Sequence, residues 1–167
     1  MSAAGKGAGW QTDGMDLEAY ARQMLDENRY VVLGTADEHG EPWVTPVFYS
    51  LDGYDTVLWL SAPDSRHSRN LAVRPGLSLV VYDSQVPVGG AKAVYMSGRA
   101  ECLDGDPVAS ALAAYNAGSL PKGADAFALE KVTGDGHLRV YRATITAHWV
   151  LDPTLPRDDR TAVDLRS

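Results

Sequence analysis

A chain of 167 residues with 45 % hydrophobic and 22 % charged residues has the size and composition of one soluble globular domain with its own core. A formal net charge of −7 and a pI of about 4.9 argue against nucleic acid or an anionic membrane surface as the partner, since both need a basic footprint. The single cysteine permits no internal disulfide, no apolar run approaches a membrane span, and the N-terminus lacks a signal-peptide core, so the expectation is a cytoplasmic enzyme or binding protein.

Residues 1–14 are small and Gly-rich and read as a mobile tail. Their Gly5-x-Gly7-x-Gly9 follows no strand and is no dinucleotide loop. Leu17, Tyr20, Ala21, Met24 and Leu25 then fall at helical spacing behind Asp13 and Asp16, predicting an amphipathic helix that ends near Asn28. Strand-forming runs follow at 30–36, 43–49 and 56–60, separated by the turns at 37–41 and 51–55.

The stretch Ser61-Ala-Pro-Asp-Ser-Arg-His-Ser-Arg-Asn70-Leu71 comes next. Asp64 or Ser65 caps a short helix, and Arg66, His67 and Arg69 occupy its first turns. Basic residues do not stabilise a helix N-terminus, which already carries the positive end of the macrodipole. They fit there if an anion binds the free N–H groups, hydroxyls and guanidinium donors. The other reading is that Arg66 and Arg69 are solvated surface charges.

A strand is predicted at 77–82, then a loop with Pro87, Gly89 and Gly90, then a long strand at 93–103. Cys102 in that strand reads as a small buried apolar residue. An Ala-rich helix is predicted over Pro107–Ala117, a short helix over Phe127–Val132, and a last strand over Leu138–Val150. A polar tail with Pro153 and Pro156 begins at Asp152. Strands joined by short turns, with helices at the ends and crossings, make a mainly β antiparallel barrel or sheet. No repeat and no second domain is visible, so residues 15–151 form the one folded domain.

No nucleophile–base pair, P-loop, Gly-x-Ser-x-Gly elbow or paired-cysteine zinc pattern occurs, and His39, His67, His137 and His148 show no close pairing. No metal site is expected, and no catalytic residue can be named. Pro46 is unusual inside a strand because it cannot donate to a ladder. It marks an edge or bulge, or a strand face left open for a flat ligand. Trp43, Tyr49 and Trp59 suit core or interface positions. A phosphate site without catalytic side chains points to a phosphorylated cofactor.

Pro42-Trp-Val-Thr-Pro-Val-Phe-Tyr49, Leu58-Trp-Leu-Ser61, Ser65-Arg-His-Ser-Arg-Asn-Leu71, Pro75-Gly-Leu-Ser-Leu-Val-Val-Tyr-Asp83 and Ala93-Val-Tyr-Met-Ser-Gly-Arg-Ala100 together resemble the pyridoxamine 5′-phosphate oxidase-like family of flavin-binding split β-barrels. The similarity covers about residues 17–150. It implies a six-stranded antiparallel split barrel that forms a homodimer with FMN at the subunit interface. It implies that Val44, Thr45, Pro46 and Val47 lie against the isoalloxazine ring. Ser61, Ser65, Arg66, His67 and Asn70 correspond to the phosphate and ribityl contacts, and Leu71 completes the Asn-Leu ending of the family's phosphate helix. Trp149 corresponds to a ring cap from the partner subunit, or to a core or interface residue.

Three departures bear on the substrate. His67 stands where many members have Lys, Thr45 where the true oxidases have Arg, and the oxidases' C-terminal Arg-Leu-His is absent. The expectation is an FMN-dependent oxidoreductase acting on a small molecule other than pyridoxamine phosphate. The alternatives are an F420-dependent reductase of the same fold, or a non-catalytic flavin- or haem-binding protein.

Overall fold

The computed structural model describes residues 15–87, 90–152, 155 and 159–166. The expected tail at 1–14, with its three glycines, lies outside the described residues, as do Gly89, Pro153 and Pro156.

The first helix, α1 (Leu17–Glu27), is capped by Asp16, whose carboxylate accepts from the Glu18 and Ala19 N–H groups. It buries Ala21, Met24 and Leu25. Its last turn carries no basic residue of its own. Lys122, far along the chain, supplies one. Its Nζ donates to the Leu25 and Asn28 carbonyls at 3.2 and 2.9 Å and lies 3.9 Å from the centre of the Tyr49 ring. Burial pulls the Lys122 pKa down to about 8.

Eight strands follow, all paired antiparallel: β1 (Tyr30–Ala36), β2 (Pro42–Phe48), β3 (Ser50–Leu51), β4 (Thr56–Ser61), β5 (Gly76–Tyr82), β6 (Ala93–Cys102), β7 (Arg139–Leu151) and β8 (Arg160–Val163). Their order is β2-β1-β5-β6-β7-β4-β3, with β8 also on β7. The two ends of that order, β2 and β3, are consecutive pieces of one stretch interrupted at Tyr49. One piece pairs with β1 and the other with β4, so this stretch closes the sheet into a split barrel. Six strands were expected, and the described residues form eight. The six longer ones match the sequence pattern, while β3 and β8 are too short to show a period and exist through pairing with β4 and β7. The stretch expected to be a C-terminal tail from Asp152 thus contains β8, and Leu165 beyond it is buried.

Inward-facing Val31, Leu33, Val47, Val57, Trp59, Leu79, Val81, Met96, Tyr141 and Ala143 fill the barrel, with α1 residues packed onto them. Helix α2 (Arg66–Val73) adds Leu71 to the same core. A second cluster lies outside the barrel wall, where Val108, Ala111, Leu112 and Tyr115 of α3 (Pro107–Ser119) cover Leu58 and Val140. Two glycines serve close approaches. A Cβ at Gly118 of α3 would collide with the Ser50 hydroxyl of β3, and one at Gly98 would collide with the Thr144 carbonyl at the β6–β7 bulge.

Two local expectations are corrected. The helix read over Phe127–Val132 is only a 3₁₀ turn, Leu129–Lys131, because Asn116 of α3 holds the Phe127 backbone at both its N–H and carbonyl. Cys102 is exposed rather than buried. It ends β6 beyond Arg99, where the ladder to β5 stops at Gly76.

Candidate functional site

Ser65 is the N-cap of α2, and its hydroxyl accepts from the Ser68 N–H at 3.3 Å. The Ser65 N–H donates to Ala62 O, and the first helical bond runs from Arg69 N–H to Ser65 O. That leaves the Arg66 and His67 N–H groups as the orphan donors of the helix N-terminus. Ser61 ends β4 on the inward face, directly beneath this turn, and is buried with His67, Ser68 and Asn70.

The expected anion residues therefore do come together. His67 Nε2 lies 2.9 Å from Ser61 Oγ and 3.2 Å from Ser65 Oγ, while Nδ1 lies 3.3 Å from Ser65 Oγ. The Ser65 hydroxyl also donates to Ser68 Oγ at 2.8 Å. The Arg66 guanidinium lies 4.4 Å over the Trp43 ring, which ties α2 to β2. Arg69 differs: its guanidinium turns back onto the Asp64 carbonyl, in keeping with a surface role.

Val44, Thr45, Pro46 and Val47 lie on the strand beside this turn. The Tyr49 N–H donates to Arg29 O at 3.2 Å. Counting back by twos puts Val47 and Thr45 at hydrogen-bonded positions of the β1 ladder, with Pro46 opposite Val32 between them. The missing Pro46 N–H therefore faces away from β1, at an open edge, and costs no ladder bond. Val44 and Pro46 are exposed, Val47 is in the core, and Thr45 Oγ1 is buried with no hydrogen-bond partner among the described residues.

A buried relay fixes the distance between the helix and this strand. Asn70 Nδ2 donates to Thr35 Oγ1 at 3.1 Å, and the Thr35 hydroxyl donates to the Trp43 carbonyl at 3.2 Å. Sequence reading singled out Asn70 but not Thr35, whose only signal is a hydroxyl at a core position of β1. Arg139 was also missed. It pairs with Ser61 in the β4–β7 ladder, and its guanidinium donates to the Gly134, Gly136 and Leu138 carbonyls, anchoring the loop before β7.

His67 and His148 are both buried, and burial pushes both pKa values below the ordinary 6.5. His148 Nε2 is also bonded to the Tyr54 carbonyl at 2.8 Å. Between the depressed folded values and about pH 6.5 the unfolded chain binds protons that the folded chain refuses. Stability is therefore fully present above about pH 6.5 and falls as pH drops through that window. Thermal scans from about pH 5 to 7.5, below the range in which Lys122 with its pKa of about 8 adds its own slope, should show a Tm that declines on acidification below about pH 6.5, and His148→Gln should reduce the decline. A Tm that rises on acidification would contradict the two buried neutral rings.

A cavity of about 470 Å³ lies on the outer barrel face between Val80, Tyr82, Tyr95 and Leu151, and none of the α2 residues lines it. Among the described residues, no group of three His, Cys, Asp or Glu side chains could hold a metal ion, and no helix is long and apolar enough to cross a membrane.

A family model described as pyridoxamine 5′-phosphate oxidase matches residues 17–149. No curated protein matches the chain. Among solved structures, it is similar to a heme binding protein from Mycobacterium smegmatis, at 21 % identity and TM-score 0.68 over 89 % of this chain and 58 % of that one. It is similar to HutZ, the heme storage protein of Vibrio cholerae, at 19 % identity and TM-score 0.62 over 79 % of this chain and 92 % of that one. It is also similar to an F420 reductase, at 17 % identity and TM-score 0.55 over 76 % of this chain and 94 % of that one. Identities this low establish the shared fold.

Proposed function

The chain belongs to the pyridoxamine 5′-phosphate oxidase family, and from that premise we propose that it is a cytoplasmic FMN-binding flavoprotein that acts as an oxidoreductase on a small molecule. The observation that carries this reading is the gathering of two orphan N–H groups, the Ser61 and Ser65 hydroxyls and the Arg66 guanidinium at one helix N-terminus. That donor set suits a terminal phosphate. The partnerless Thr45 Oγ1 and the exposed Val44 and Pro46 suit a ring laid along β2. Bound FMN would supply two-electron hydride exchange at its ring. The chain's own part is to hold the phosphate through α2, to keep β2 in register through Asn70 and Thr35, and to leave the edge at Pro46 open.

A homodimer completes this reading. Pro46, Val32, Val80, Tyr95, Trp149 and Ala162 form one cross-strand row on the outer barrel face, all of them at least partly exposed. Among the described residues no helix covers that row, in contrast to the α3 side, so a second copy has an apolar sheet face to pack on. Trp149 stands in this row, which suits an interface role.

Freshly purified protein should be yellow, release flavin on denaturation and elute at twice the 18.0 kDa chain mass. Colourless protein that takes up no added FMN would overturn the cofactor reading. An F420 reductase shares the fold, and F420 is the second reading. A tighter quench of F420 fluorescence than of FMN fluorescence would put it first. For haem, the His67 and His148 rings are already hydrogen-bonded, while His39 and His137 are exposed. A Soret band lost in His39→Ala or His137→Ala would favour a haem-binding role.

A further inference from the structure

The charge of the α2 site rests on few groups. Arg69 is turned onto the Asp64 carbonyl, Arg74 donates to the Glu38 carbonyl at 2.9 Å, and Arg139 is spent on three loop carbonyls. Arg66, stacked on Trp43, has no hydrogen-bond partner among the described residues and is the one fixed cation open to an anion. The remaining candidate is His67.

His67 has an unusual set of partners. Both of its ring contacts, Ser61 and Ser65, are hydroxyls. The Ser65 hydroxyl donates to Ser68 and so accepts from the ring, while the Ser61 hydroxyl donates or accepts as required, so either protonation state of the ring can be satisfied in place. With the ring neutral at Nε2, the single Ser61 O–H proton is directed to that nitrogen. With the ring protonated, Nε2–H donates to Ser61 Oγ, and the Ser61 proton is released to point elsewhere. The charged and titratable groups on the neighbouring elements are Arg66 and Arg69 on α2, Asp64 bonded to Arg69 through its carbonyl, Asp37 within the field of Arg66, Arg139 opposite Ser61, and Tyr141 beside Ser68. None of them hydrogen-bonds the imidazole, and burial is what holds its pKa down.

Resting on the reading that α2 holds a phosphate, we propose that His67 sets the charge of the anion this site accepts. Neutral His67 leaves one cation, Arg66, and suits a singly charged anion such as a phosphodiester. A doubly charged phosphate monoester, as in FMN, is held with uptake of one proton from solvent at His67, and the Ser61 hydroxyl then turns to the anion. His67 is thereby the specificity-determining residue between monoester and diester cofactors.

FMN affinity measured by fluorescence quenching from pH 8.5 to 6.5 tests this, because the phosphate, with a second pKa of about 6, stays mostly dianionic there. The wild-type protein should bind FMN more tightly as pH falls, by up to about tenfold per pH unit for one proton taken up. Riboflavin, which lacks the phosphate, should show no such slope, and His67→Gln and His67→Lys should both flatten it. A pH-independent FMN affinity in the wild type, or a slope retained in His67→Gln, would overturn the proposal while leaving FMN binding intact. Nuclear magnetic resonance of the His67 ring in the wild-type protein, with sulfate as a dianion that does not titrate in this range, needs neither FMN nor a variant. Sulfate should raise the His67 pKa. A raised value in protein that binds no FMN supports the charge role and removes the FMN reading. An unmoved value overturns the charge role.

Discussion

Replacing Trp59 with alanine should lower the free energy of unfolding by about 3–5 kcal/mol, the usual cost of deleting a large buried aromatic ring. Trp59 is fully buried at the middle of β4. It stacks on Tyr141 with ring centres 5.5 Å apart and planes 15° apart, and Tyr141 is its direct partner in the β4–β7 ladder. Tyr141 is itself buried, and burial raises its pKa. Removing the indole would leave a void against Tyr141, and Ser61, two residues along on the same face, would lose its packed footing. Urea unfolding should show a lower midpoint with an unchanged slope. Trp59→Phe provides an internal check. The Trp59 Nε1 is buried without a partner, and such a donor costs about 1–3 kcal/mol. Phenylalanine removes that donor and keeps most of the ring, so it should retain most of the stability. A Phe variant as unstable as the Ala variant would refute the unpaired-donor account.

The second large effect concerns binding. Arg66→Ala should weaken FMN by about ten- to a hundredfold, equivalent to about 1.5–3 kcal/mol for a lost charge-assisted hydrogen bond. Arg66→Lys should recover part of the loss, because the charge returns but the planar fork over Trp43 does not. Fluorescence titration of the three proteins measures this directly. The urea midpoint of Arg66→Ala should fall only by the lost stacking on Trp43, about 0.5–1 kcal/mol, which is smaller than the loss of affinity. Unchanged affinity in Arg66→Ala would remove it from the site.

Most of the architecture was legible in the chain. Runs such as Tyr30–Ala36 and Leu77–Tyr82 are rich in strand-forming residues and bounded by turns, α1 carries its apolar face and its Asp16 cap, and Ser65 marks where α2 begins. These signals are local: each residue's backbone preference and neighbours suffice. The misses are of another kind. Strands β3 and β8 have two and four residues and no period to read. Cys102 has the neighbours of a core residue, and only the place where β5 stops leaves it exposed. The turn at 129–131 is decided by Asn116 in α3.

The candidate site divides in the same way. By itself, the sequence determined that basic residues and hydroxyls cluster at the start of one short helix after the strand that ends in Ser61. Residue type and spacing along the chain are enough for that inference. Only the tertiary structure decided that His67 is buried against Ser61 and Ser65, that Arg66 rests on Trp43, and that Thr35 couples Asn70 to β2. It likewise decided that Arg69 is turned away and that Pro46 faces an open edge. Hydrogen bonds and burial depend on which segments the barrel brings face to face, and Asn70 and Thr35 alone lie 35 positions apart in the chain.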